Sequence, residues 1–232
     1  MKVLLTAVLS IMLAVSQAHA GNHTALKSEK DKVSYSIGLN IGNNFKSQSV
    51  DINPDILAKG IKDALSGSKP LMTEKEIQET MTAFQKEMAA KQAERIKVAA
   101  EKNKKEGETF LAENKKKEGV KTTASGLQYK VVKSGSGPKP KATDTVTVNY
   151  RGTLIDGTEF DSSYKRGEPA SFPLNGIIPG WTEALQLMPV GSKWQLFIPS
   201  NLAYGERGAG REIGPDKTLI FEVELLSINS NK

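Results

Sequence analysis

Spacing of apolar residues divides the chain into a helical first half and a stranded second half. Val33, Ile37 and Ile41 recur every four residues, with Tyr35, Leu39 and Phe45 widening the stripe, and this predicts a short amphipathic helix. Asn53-Pro54 starts a second, in which Ile56, Leu57, Ile61, Ala64 and Leu65 lead to a stop at Gly67. Thr73 with Glu76 three residues on reads as a capping box. Ile77, Met81, Phe84 and Met88 then follow at spacings of four, three and four, a heptad-like seam. From 89 to about 105 the chain is dominated by Ala, Lys, Glu, Gln and Arg, all strong helix formers, and charges continue to Lys117 before Glu118-Gly119 ends the run. A helix over 73–118 would be on the order of 70 Å long. Its first half is expected to pack and its second to be a solvated strut. The alternative is a charged linker, with Gly107 costing about 1 kcal/mol against Ala and marking where a break would fall.

Beyond Gly119 the period drops to two. Stretches 126–132, 145–153, 193–198 and 218–228 alternate or run apolar, and 181–187 is long enough for one short helix. Asp156-Gly157 reads as a hairpin turn, so that Tyr150, Phe160 and Asp161 meet at one end of a sheet. The predicted class is α+β: an all-helical N-terminal region, a long connecting helix, then an antiparallel β-sheet wrapped around one short helix. The domains expected are 21–72, 73–118 and 119–232. Two short helices with broad apolar stripes bury little against each other, so a second copy of the chain is the economical partner and a homodimer through the N-terminal helices is expected.

Composition narrows the function classes. A chain of 232 residues with 38% hydrophobic and 25% charged residues is ordinary for a globular protein. The formal charge of +6 and pI near 9.3 suggest a nucleic-acid partner, but the lysines are interleaved with acids, which argues for a solvated surface and against a phosphate-tracking groove. Lys2, an apolar run over 3–15 and Ala18-His19-Ala20 read as an export signal over 1–20, leaving a mature start at Gly21. That run is too short to span a bilayer, and no later segment is long and apolar enough. There is no cysteine, and the two histidines, His19 and His23, fall in the signal and at the new terminus. A disulfide framework, a thiol nucleophile and a Ser-His-Asp triad are therefore not expected; carboxylate-only metal sites stay open. Gly191-Ser192-Lys193 and Gly208-Ala209-Gly210 lack the spacing of a phosphate loop or a dinucleotide fingerprint, and no cofactor or metal is expected.

Four motifs in fixed order give the chemistry a name: VTVNYRGTLIDGTEFDSS over 146–163, GIIPGW over 176–181, FIPSNLAYGERGAG over 197–210 and IGPDKTLIFEVELLSI over 213–228. Together they resemble the FKBP-type peptidyl-prolyl cis/trans isomerases. YSIGLNIGNNF over 35–45 and the DINPDILAKG that follows resemble the dimeric bacterial branch typified by the macrophage infectivity potentiator. The resemblance implies rotation of X-Pro bonds in proline-containing polypeptides within an apolar pocket, without a cofactor. Tyr150, Phe160, Asp161, Tyr204 and Phe221 would carry catalysis. Ile177, Ile178, Trp181, Arg166, Phe172 and Ile213 would bind substrate, with Trp181 as floor and the Ile178 N–H and Tyr204 hydroxyl holding carbonyls.

It also implies an inhibitor of the tacrolimus macrolide type, and a place in the periplasm, at the outer membrane or outside the cell. Ala170, where many members carry an aromatic residue, and the loop 208–212 depart from the family pattern, which bears on sequence preference. Taken singly, each aromatic residue reads equally as core, Tyr204 as a turn residue and Asp161 as a turn cap. The rival class is a holdase chaperone or peptide-binding module with little isomerase activity, and an adhesin is a third reading.

Overall fold

The computed structural model describes residues 26–229; the expected export signal over 1–20, its cleavage at Gly21 and His23 lie outside them. The described chain forms two compact units, one ending at Glu74 and one beginning at Lys75.

The first unit holds α1 (Glu29–Ser47) and α2 (Pro54–Ser66). α1 begins four residues before Val33 because Ser28 and Asp31 cap each other. The Asp31 N–H donates to Ser28 Oγ at 3.1 Å, and the Ser28 N–H donates to Asp31 Oδ2 at 3.0 Å. α2 has the predicted ends: Asn53 Oδ1 accepts from the Asp55 and Ile56 N–H groups, and Gly67 closes the helix at φ +66°. Neither helix contains a buried residue.

α3 (Glu74–Asn114) runs unbroken for 41 residues, so Gly107 does not interrupt it. The expectation of a solvated second half is corrected. Ile77 and Met81 of the seam are exposed, while the buried residues of α3 are Asn103, Gly107 and Asn114. These face the sheet. Asn103 Nδ2 donates to the Pro215 carbonyl at 2.7 Å, Asn114 Nδ2 to Gln128 Oε1 at 3.0 Å, and Gln128 Nε2 to the Leu111 carbonyl at 2.9 Å. Phe110 packs on Phe197 with ring centroids 5.9 Å apart. A Cβ on residue 107 would lie 2.3 Å from Thr218 Oγ1, so glycine here is a point of close approach between helix and sheet.

The sheet has seven antiparallel strands: β1 (Val120–Thr122), β2 (Gln128–Lys133), β3 (Thr145–Leu154), β4 (Glu159–Ser162), β5 (Ala170–Pro173), β6 (Lys193–Ile198) and β7 (Leu219–Asn229). Their order is β1-β2-β6-β7-β3-β4, with β5 pairing the first half of β3 on the edge whose second half pairs with β4. β3 and β7 pair along their whole lengths, and in both, buried residues alternate with half-exposed ones, the period-2 pattern of a sheet with one covered face. Helix α5 (Pro179–Leu187) lies among that core: Trp181, Ala184 and Leu185 are buried with Val146, Val148, Leu196 and Val223. One turn of helix, α4 (Ser163–Arg166), adds to the single helix expected. The predicted turn is present, with the Leu154 N–H donating to the Thr158 carbonyl at 2.8 Å and the Thr158 N–H to Asp156 Oδ1 at 2.9 Å.

Candidate functional site

Period-2 alternation places Tyr150 of β3 and Phe221 of β7 on the covered face, where α5 brings Trp181 up to them. The Tyr150 and Trp181 rings meet edge to face at 5.1 Å and 88°, and Trp181 and Phe221 at 5.1 Å and 79°. Phe172 of β5 closes on Trp181 at 5.8 Å and 90°, and Phe160 of β4 on Phe221 at 5.5 Å and 84°. These are the edge-to-face contacts that aromatic quadrupoles favour. Gly152 makes the last of them fit: a Cβ there would lie 2.7 Å from both the Phe160 and Phe221 rings.

The five rings line a cavity of about 570 Å³ together with Asp161, Ile177, Ile178, Tyr204 and Ile213. Ten of the eleven residues expected to form the site therefore converge on one opening. Arg166, the eleventh, does not line it. Its Nη1 donates to Asp161 Oδ1 at 2.5 Å and its Nη2 to the Tyr150 hydroxyl at 2.7 Å, so it stands behind two residues that do. Gly176, Ala209, Gly210 and Glu212 also line the cavity. They come from loops, and no periodicity in the sequence marks them.

Local hydrogen bonds hold the frame. The β3–β4 ladder stops at Arg151–Ser162, and beyond it the Tyr150 N–H donates to Ser163 Oγ at 2.9 Å, which fixes the strand that carries the phenol. Thr182 Oγ1 donates to the Leu174 carbonyl at 2.6 Å and ties the 174–178 loop to α5. Ile178 precedes Pro179 at the start of α5; its carbonyl accepts from the Trp181 and Thr182 N–H groups, while its own N–H has no partner among the described residues. The Tyr204 hydroxyl is likewise without a partner among them, and the residue is 41% exposed.

Asp161 is fully engaged. The Tyr150 hydroxyl donates to Oδ2 at 2.5 Å, and Oδ1 accepts from Arg166 and from the Ser162 N–H at 2.8 Å. Burial pushes its pKa up, but hydrogen bonds from Tyr150 and Arg166, the Arg166 charge and the Ser162 N–H outweigh that and leave it below the ordinary carboxylate value. Burial and the bond to Asp161 raise the Tyr150 phenol above its ordinary value, and burial does the same for Tyr204. At neutral pH Asp161 is therefore an ionised carboxylate locked by three donors, and Tyr150 and Tyr204 are un-ionised phenols. No lining residue is a cysteine, serine, histidine or lysine, and the cavity offers chiefly shape, apolar surface and hydrogen-bond donors. Among the described residues no group of three or more His, Cys, Asp or Glu is placed to hold a metal ion.

Comparison with known proteins agrees with this geometry. Residues 30–131 match the family described as the domain amino terminal to FKBP-type peptidyl-prolyl isomerase, and residues 137–226 match FKBP-type peptidyl-prolyl cis-trans isomerase. The chain is 50% identical over 228 residues to Outer membrane protein MIP of Legionella longbeachae, covering 98% of this chain and 97% of that protein. It is 47% identical over 229 residues to peptidyl-prolyl cis-trans isomerase Mip of Coxiella burnetii, covering 98% of this chain and 99% of that one. Among solved structures, FkpA from Escherichia coli is similar with a TM-score of 0.71 at 41% identity, over 88% of this chain and 99% of that one.

Proposed function

The chain belongs to the FKBP-type peptidyl-prolyl cis-trans isomerases, and from that premise we propose that the aromatic cup over Trp181 is where the X-Pro bond turns. The observation that carries this reading is the closure of five rings around one opening whose central acid, Asp161, is held by Tyr150 and Arg166.

A planar X-Pro amide is held by a barrier of about 18–20 kcal/mol, and uncatalysed turning takes tens to hundreds of seconds. Rotation removes amide resonance, and with it the charge separation between oxygen and nitrogen. A cavity walled by Tyr150, Phe160, Phe172, Trp181 and Phe221 disfavours the planar state relative to the twisted one. Trp181 forms the floor under the proline ring. The unpartnered Ile178 N–H and Tyr204 hydroxyl take substrate carbonyls and so orient the peptide over Trp181. Asp161 transfers no proton; it fixes the Tyr150 ring edge and, with Arg166, the wall of the cup.

The test is proline-limited refolding of a model substrate with Asp161→Ala and Tyr150→Phe. Reduced turnover in each is expected, and unchanged turnover in both removes them from the site. The size of the cup also supports inhibition by a macrolide of the tacrolimus type, read as loss of that turnover.

Two further assignments rest on the first unit and on the sequence. Leu65 and Ile56 are 85% and 62% exposed, and α1 and α2 bury nothing within the chain, which supports a homodimer through these helices. A dimer that presents two apolar cups to one client favours a chaperone role beside isomerisation. Deletion of 21–72 should leave peptide turnover and abolish protection of an aggregating client; absence of turnover in the intact chain would leave the chaperone reading alone. No helix among the described residues is long and apolar enough to cross a membrane. The signal-like segment over 1–20 supports export, with the periplasm as the proposed compartment, to be checked by cell fractionation.

A further inference from the structure

Two carboxylates line the cavity, Asp161 and Glu212, and no lysine or arginine does. The charge of Asp161 is compensated by Arg166 at 2.5 Å. Glu212 has no ion-pair partner among the described residues. It follows Arg211 in a tight loop closed by the Ala209 N–H donating to the Ile213 carbonyl at 2.8 Å and the Ile213 N–H to the Ala209 carbonyl at 3.1 Å. The Arg211 N–H donates to Glu212 Oε2 at 3.1 Å, which folds the carboxylate back onto the loop. Gly210, at φ +61°, has no Cβ to oppose this; one there would stand 3.0 Å from Oε2. The other charged side chains of the loop, Glu206, Arg207 and Arg211, are exposed and line no part of the cavity. The mouth of the cup thus carries one held, unpaired negative charge on a chain whose formal net charge is +6.

We propose that Glu212 is a specificity-determining residue that selects substrates with a lysine or arginine beside the proline. This deepens the isomerase reading and rests on it. A substrate cation supplies the partner that the chain does not, and a substrate acid meets like charge. Because the carboxylate is exposed, the contact has the size of a surface ion pair, which corresponds to about a two- to fivefold preference that weakens as salt shortens the Debye length.

The test compares kcat/KM for three otherwise identical proline peptides carrying Lys, Leu or Glu next to the proline, in one series on its N-terminal side and in another on its C-terminal side. The full chain and its Glu212→Gln and Glu212→Lys variants are measured at low and high salt. The expected result, in at least one series, is a Lys-to-Glu preference of about two- to fivefold in the unaltered chain, near one in Glu212→Gln, and reversed in Glu212→Lys. Using the ratio cancels any general change in loop fit. Turnover of all peptides with the same ratio in the three proteins, in both series, overturns the role of Glu212 and leaves the isomerase reading standing. Absence of turnover with every peptide overturns both.

Discussion

Gly107→Ala should destabilise the sheet unit, although alanine is the better helix former. In an open helix the change gains about 1 kcal/mol. Here the new methyl would sit 2.3 Å from Thr218 Oγ1 and 3.2 Å from its Cβ, and Thr218 is 3% exposed at the threshold of β7. Turning the hydroxyl away leaves the Cβ in place, and there is no solvent space to receive it. The remaining response is for α3 to lift by about 1 Å, which stretches the Asn103–Pro215 and Gln128–Leu111 hydrogen bonds and the Phe110–Phe197 contact. Overpacking of this kind costs typically about 1–3 kcal/mol, and the upper half of that range applies because three contacts move together. Net of the propensity gain, a loss of about 1–2 kcal/mol is expected.

Urea unfolding followed by fluorescence reads it directly, since Trp181 and Trp194 both lie in this unit. The decisive step is the double-mutant cycle: in a Thr218→Ala background the same Gly107→Ala change should become neutral or stabilising. If Gly107→Ala raises the midpoint with Thr218 present, or if its effect is identical in both backgrounds, the close-approach account of this glycine is wrong.

Acid stability should depend on Asp161. Its folded pKa is depressed by donors that outweigh burial, so it contributes stability present above the unfolded carboxylate value near 3.9 and lost as pH falls below that value through the folded one. Asp161→Asn should flatten that part of the stability curve as followed by Trp fluorescence, while the curve above pH 5 keeps its shape. Association through the first unit should fail when its apolar face is charged: Ile56→Asp or Leu65→Asp should shift the mass measured by light scattering from two chains to one, with peptide turnover retained. Removing the free donor at the rim by Tyr204→Phe should raise KM more than it lowers kcat, since the ring stays and only a carbonyl partner is lost.

Strands β3, β6 and β7 and the cap of α2 were readable from spacing because one physical demand dominated each. A covered sheet face selects every second residue, and orphan helix N–H groups select Asn53. β1 and β5, at three and four residues, are too short for a period to register. The end of α3 escapes pattern reading for a different reason. Pattern reading sends asparagine and charge outward, whereas Asn103 and Asn114 are buried as hydrogen-bond partners of Pro215 and Gln128, and a glycine in a helix looks like weakness unless its neighbour is known. In the site, each aromatic residue alone was indistinguishable from core, and it was the joint match to family motifs that grouped them. Arg166 illustrates the limit: motif position places it at the site, but only the fold reveals that its partners are Asp161 and the Tyr150 hydroxyl. Glu212 belongs to a loop whose course no local pattern specifies.

The central claim is that the cup turns X-Pro bonds by shape and apolar surroundings, with no proton passed in the reaction. The most direct measurement is kcat/KM for a proline peptide against pH, in a protease-free assay run in both light and heavy water. With Asp161 held ionised and Tyr150 and Tyr204 held as phenols, the account predicts a flat profile from about pH 5.5 to 8.5 and equal rates in the two solvents. A bell or a limb inside that window, or a rate at least about twofold lower in heavy water, would show a proton moving in the rate-limiting step and contradict it.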